Sequence, residues 1–278
     1  MTTSNAPSPT VPWRGLLIGG GAGLMSGLFG IGGGIVIVPA LLTLLSMERR
    51  LAHGTSLAAT VPVAAASLVT YALGDHVDWP VALFLMTGAV VGTVLGTQLL
   101  QIIPKRPLTI IFVAVILLTA ARLLVSSDPT GRGALSIGGA GALIAIGFAT
   151  GTLSGLLGIG GGVIMVPAMV VLLSMPPVLA KGTSVAVILP ASIVGTLRNR
   201  ANHNVDLRVG ASIGIAGVAS AVIGGLIASS MSATLSNAMF AALLVVIAVI
   251  QALTLRTPRP APIDPAVGSA TDLRADPD

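Results

Sequence analysis

Two short glycine runs could hold an anion on bare backbone. Gly30-Ile31-Gly32-Gly33-Gly34 recurs as Gly158-Ile159-Gly160-Gly161-Gly162, an offset of 128 (158 − 30). Each follows a serine and a glycine, Ser26-Gly27 and Ser154-Gly155, and each has a proline downstream at the same distance, Pro39 and Pro167. Apolar sequence resumes at Ile35 and Val163, so each run should end where a helix begins. The free N–H groups and positive dipole end of a helix start suit an anion. Glycine lets a ligand approach those groups closely. Gly30, Gly32, Gly33, Gly34, Gly158, Gly160, Gly161 and Gly162 are therefore candidate anion ligands. The plain alternative is that these glycines only let helices cross tightly. Pro39 and Pro167 are expected to be structural.

A second pair of clusters follows at the same offset. His53-Gly54-Thr55-Ser56 and Lys181-Gly182-Thr183-Ser184 are expected at the heads of the next helices. Thr55, Ser56, Thr183 and Ser184 supply hydroxyl donors, unless they are ordinary N-caps. His53 and Lys181 would place one basic group at each helix head. The bland reading is a boundary histidine and a loop lysine facing water. Arg198, Asn199, Arg200, Asn202 and His203 read as a solvated basic loop that could also gather anions.

Other chemistries fail on the residues. The glycine run superficially fits a dinucleotide fingerprint, but that motif needs a βαβ unit and an acidic ribose ligand. No Gly-Lys-Ser/Thr follows either, so a phosphate loop is out, and ATP-driven work would need another subunit. There is no cysteine. The three histidines, His53, His76 and His203, are not at metal-ligand spacing on one helix. No cofactor or metal is expected, and neither is catalysis.

The elements that must position these groups lie in a membrane. Of 278 residues 54% are hydrophobic and 8% charged, against about 25% charged in soluble domains. All nine acidic residues (Glu48, Asp75, Asp78, Asp128, Asp206, Asp264, Asp272, Asp276 and Asp278) fall in loops or tails. No intramembrane carboxylate is available as a proton or cation relay. The net charge of +5 is scattered over short loops, which argues for topology signals rather than nucleic-acid binding.

The runs 14–29 and 35–47 reach about 24 and 20 Å as helices, each short of a hydrocarbon core of about 30 Å. They form two short spans or one hairpin. Fuller spans are expected at 51–73, 79–101 and 107–125, and the second half repeats the series, short arm included, at 135–157, 163–175, 180–198, 207–229 and 235–255. Glycines at 15, 19, 23 and 27, and at 88, 92 and 96, make stripes for close helix packing. Trp13 and Trp79 sit at span edges as interfacial anchors. The expected division is a polar tail 1–13 without a cleaved signal peptide, a first repeat 14–125, a linker 126–133, a second repeat 134–256 and a disordered tail 257–278. Basic loops alternate oppositely in the two halves, the pattern of an inverted repeat. Arg122 and Arg132 mildly violate it. The fold expected is an all-α polytopic membrane protein of two inverted-topology repeats. Each repeat has about five helical segments, including a short helix pair broken by glycine. Both termini are expected in the cytoplasm of a bacterial inner membrane.

A doubled Gly-x-x-Gly-x-Gly-Gly-Gly-x4-Pro motif, each copy followed by Gly-Thr-Ser, resembles the sulfite exporter TauE/SafE family of membrane transporters. The resemblance covers about 14–256. It implies transport of a small sulfur-containing or organic anion, such as sulfite or a sulfonate, and leaves the substrate and direction open. The expected partners are that anion and the lipid bilayer, with no nucleic acid; homo-oligomer formation stays open. An integral-membrane enzyme and a non-transporting anion sensor of transporter-like fold are the alternatives.

Overall fold

A computed structural model describes residues 11–99, part of 113–121, 137–157 and 161–256. The tails 1–10 and 257–278, the linker 126–133, most of the 107–125 span, and Gly158 and Gly160 lie outside the described residues. Among the described residues all regular structure is helical. The helices are α1 (Val11–Phe29), α2 (Gly34–Leu44), α3 (Arg49–Leu73), α4 (Trp79–Leu99), α5 (Ile137–Leu157), α6 (Gly162–Leu173), α7 (Pro177–Ala201), α8 (Leu207–Ala216), α9 (Val218–Ser230) and α10 (Ala233–Arg256).

The duplication is written into the backbone. Left-handed residues recur at the 128 offset: Gly33 and Gly161 (φ 75° and 72°), Ser46 and Ser174 (51° and 50°), Asp75 and His203 (56° and 56°). Helices α3, α4 and α7 are long and apolar enough to cross a membrane. Large apolar side chains face outward, among them Leu73, Leu118 and Ile215, at 83%, 68% and 68% exposure. A soluble protein would bury such residues; a lipid-facing surface needs them. Trp13 and Trp79 are exposed, as anchors would be.

The halves interlock reciprocally. A Cβ placed on Gly19, Gly23 or Gly27 of α1 would strike the carbonyl oxygens of Ile213, Gly217 and Ala221. A Cβ on Gly147, Gly151 or Gly155 of α5 would strike those of Leu85, Ala89 and Thr93. Each second set lies 128 residues from its counterpart in the first. The first helix of each half thus packs on the fourth of the other, and α3 packs on α7 between them. Reciprocal contacts of this kind are those of a two-fold relation.

The expected single span at 207–229 is two helices, α8 and α9, bent by 43° around Gly217. Gly217 lies against the Gly19 carbonyl and the Val63 side chain, with no room for a Cβ. Its counterpart, Ala89, sits in the unbroken α4.

Candidate functional site

The first short pair is a hairpin. Gly33 folds back beside the Ala22 carbonyl, and Arg14 Nη1 donates to Leu44 O at 3.0 Å, closing the other end. The 11 residues of α2 rise only about 16 Å, roughly half a hydrocarbon core. Gly33 and Gly161 start α2 and α6 in the left-handed conformation, and neither start is capped by a side chain. Val36 N and Ile164 N turn back to Gly33 O and Gly161 O at 3.0 and 3.2 Å, and the N–H groups of the first two residues of each helix have no side chain to cap them.

The two breaks touch. A Cβ on Gly162 would lie 2.6 Å from Ile31 Cα and 2.8 Å from Ile188 Cδ1. One on Gly32 would lie 2.9 Å from Ile188 Cγ2 and 3.1 Å from Thr60 Cγ2. The glycine loops of both halves thus meet between α3 and α7. Gly30, Gly32, Gly33, Gly34, Gly161 and Gly162 are all buried. Protein atoms crowd the side-chain faces of Gly30, Gly32, Gly33 and Gly162, so close packing is part of their role.

Lys181 is no loop lysine facing water. It is 1% exposed. Its Nζ donates to Ser236 Oγ of α10 at 2.7 Å and lies 5.6 Å from the centroid of the Phe29 ring, which stacks on Phe240. Gly30 packs on its backbone: a Cβ added there would fall 2.7 Å from Lys181 Cα. No carboxylate neutralises it among the described residues. A buried charge normally has a charged partner, and this one has a hydroxyl and a ring face. Three residues on, and so on the same helix face, Ser184 Oγ is buried without a hydrogen-bond partner among the described residues. The counterpart of Lys181, His53, is half-buried, and Ser56 is buried.

The Gly-Thr-Ser clusters do not head their helices. α3 starts at Arg49 and α7 at Pro177, a residue suited to the first helical position, so Thr55 and Thr183 are each the seventh residue. They serve as clasps between the halves. Thr55 Oγ1 accepts from Asp206 N at 2.9 Å, and Thr183 Oγ1 accepts from Asp78 N at 2.9 Å. Thr183 also donates to Leu179 O at 2.7 Å, which uses its hydroxyl in both senses. Gly54 and Gly182 admit the carbonyls of Asn204 and His76 from the same loops. Thr183→Val keeps the shape but leaves the Asp78 N–H unpaired, so it is expected to cost about 1–3 kcal/mol. A lowered melting temperature in detergent, larger than that of Thr70→Val on the half-buried face of α3, checks this.

Several participants carry no signal in the motif. Phe29 and Ser236 are assigned to Lys181 only by the fold. Tyr71 of α3 donates its hydroxyl to Gly27 O at the end of α1. Ser26 and Ser154 belong to the repeated motif, and only their position ahead of the glycines could have singled them out. Of the basic cluster at the end of α7, Arg198, Arg200, Asn202 and His203 are exposed, and Asn199 turns inward to Gly195 O at 2.9 Å. Among the described residues no three metal-ligating side chains come together.

Comparison with known proteins gives this arrangement its family. The sulfite exporter TauE/SafE family profile matches residues 2–123 and 143–273. A probable membrane transporter protein, YunE of Bacillus subtilis (strain 168), is 29% identical over 66% of this chain and 77% of its own. A probable membrane transporter protein of Xylella fastidiosa (strain 9a5c) is 29% identical over 83% of this chain and 91% of its own. The probable membrane transporter protein MamO of Magnetospirillum gryphiswaldense is 33% identical over 44% of this chain and 21% of its own. No solved structure matches. With apolar membrane-length helices and a profile match over nearly its whole length, the chain is a multi-pass membrane protein and belongs to the sulfite exporter TauE/SafE family of membrane transporters.

Proposed function

We propose that this transporter carries a small anion, such as sulfite, a sulfonate or another small organic acid, and that Lys181 is its charge partner. The observation that carries the reading is the burial of Lys181 without a carboxylate among the described residues, against the meeting point of two glycine-broken helices. The N–H groups of Gly32, Gly33, Gly34, Gly158, Gly160, Gly161 and Gly162 supply neutral donors, the Gly30 N–H being given to Ser26 O at 2.8 Å, and Ser184 with Ser56 supplies hydroxyls. His53 is the second basic group, on the half related to Lys181. Thr55 and Thr183 belong to the frame around this site, since each clasps the other half. Transport proceeds by alternating access, one half moving against the other about the paired breaks. The halves lie inverted in the bacterial inner membrane, with both termini cytoplasmic.

The test is flux. Purified protein in liposomes is expected to take up sulfite, methanesulfonate, thiosulfate or acetate saturably, above protein-free vesicles and with at least one competing for another. Absence of uptake for every anion, in either direction and with or without a proton gradient, would sink the reading.

A further inference from the structure

The two halves differ where their symmetry leads one to expect sameness. In the first, α1 packs directly on α3. Two buried hydrogen bonds pin them: Ser26 Oγ to Ser67 Oγ at 3.1 Å, and Tyr71 OH to Gly27 O. In the second, the counterparts of Ser67 and Tyr71 are Gly195 and Asn199, and Asn199 bonds back to its own helix. Neither reaches α5, which barely meets α7. A crevice opens in their place, lined by Thr150, Gly151 and Ser154 of α5, Ile188 and Ala191 of α7, and Gly161 at the start of α6. It is a narrow, partly open cleft, nowhere wide enough for a water molecule as it stands.

What borders the crevice points to an anion. The uncapped N-terminus of α6 opens onto it at Gly161. Ser154 is 4% exposed, and its hydroxyl has no hydrogen-bond partner among the described residues. That oxygen lies 3.7 Å from where a Gly161 Cβ would stand, beside the helix start. In the first half the same serine is taken by Ser67, and Ala22 replaces Thr150. Replacement of Ser67 by Gly195 has thus freed one hydroxyl beside a helix start that no side chain caps.

We propose that the oxyanion head of the substrate binds in this second-half crevice as a station on its path to Lys181, which does not itself line the crevice. It accepts from the Ser154 hydroxyl and from the N–H groups of Gly162 and Val163 at the start of α6, once α5 moves away from α7. In the first half the Ser67 and Tyr71 bonds hold the equivalent helices together, so the substrate path runs through one half of a symmetric frame. The inference rests on the anion-transport reading above and narrows it to an anion with hydrogen-bond-accepting oxygens.

Ser154→Ala and Ser67→Ala, each in the full chain, test it by uptake of sulfite, acetate and chloride into liposomes, with thermal melting of the purified proteins. Ser154→Ala is expected to raise the half-saturating concentration for sulfite or acetate about ten-fold. It should not lower the melting temperature in anion-free buffer, because the hydroxyl it removes has no partner among the described residues. Ser67→Ala should do the reverse, melting earlier with half-saturation unchanged. A merely structural Ser154 would move melting and spare half-saturation. Equal half-saturation in Ser154→Ala and wild type, chloride as the only anion carried, or a Ser154→Ala protein that fails to fold would each overturn the crevice and leave anion transport standing. No uptake by the wild type would overturn both.

Discussion

Lys181→Met is expected to abolish most anion transport and leave the protein as stable as before, or more so. The two halves of that expectation come from one fact. The ammonium group is buried against a hydroxyl and an aromatic face, 2.7 Å and 5.6 Å away. Neither offsets the several kcal/mol that desolvating a charge costs. Methionine has nearly the same volume and no charge. It fills the space beside Phe29 and relieves that cost, so the melting temperature of purified protein should hold or rise. The anion loses the cation that would balance it. Removing one partner of a close, desolvated charge pair costs about 2–5 kcal/mol, so uptake at sub-saturating anion should fall about a hundred-fold. A lysine kept for architecture would give the opposite result: Lys181→Met would unfold the protein or transport normally. Lys181→Arg keeps the charge on a wider, planar head whose forked donors do not match the single Ser236 hydroxyl. It should recover only part of the flux.

The sequence predicts much of this frame and misses its inward turn. The 128-residue offset makes the duplication legible, because helices, breaks and even left-handed turns repeat in register. The glycine stripes could be read as packing faces, since a spacing of four marks one side of a helix. The fate of Lys181 could not. It follows two prolines, which look like loop, but Pro177 opens α7 and carries the lysine onto its second turn. Its neighbours, Phe29 and Ser236, come from other parts of the chain. The clasps of Thr55 and Thr183 were hidden for the same reason: each partner loop belongs to the other half. Ser26 and Ser154 are identical within the motif, and what separates them is Ser67 against Gly195, far along the chain. The close approach of the Gly19 carbonyl of α1 to Gly217 likewise joins residues far apart in the chain. Local patterns identified which helix faces were special. The halves' exchange of neighbours decided what those faces do.

Gly23→Ala and Gly151→Ala are expected to destabilise the protein strongly, and Gly20→Ala to stabilise it. Glycine inside a helix is less favourable than alanine by about 0.8–1 kcal/mol, so propensity alone predicts a gain at all three. A Cβ added at Gly20 would meet nothing within 4 Å, so that position should show the gain. At Gly23 the new methyl would strike the Gly217 carbonyl and lie 2.9 Å from its carbon. At Gly151 it would strike the Ala89 carbonyl and lie 2.6 Å from Ala89 Cα. These are backbone atoms, which no rotamer change can move aside. The helices must separate along a face where neighbouring glycines make the same close approach. Overpacking of this kind costs about 1–3 kcal/mol or more, which reverses the sign of the propensity effect. The two sites are symmetry counterparts on different helix pairs, so their effects should add. The double variant should lose a large share of the 5–15 kcal/mol typical of a folded domain. Size-exclusion profiles and melting temperatures in detergent check the order Gly20→Ala above wild type, above either single variant, above the double. If Gly23→Ala and Gly151→Ala melt as Gly20→Ala does, the stripes are not packing faces, and the glycines of α1 and α5 would need a functional explanation like that of the breaks they lead into.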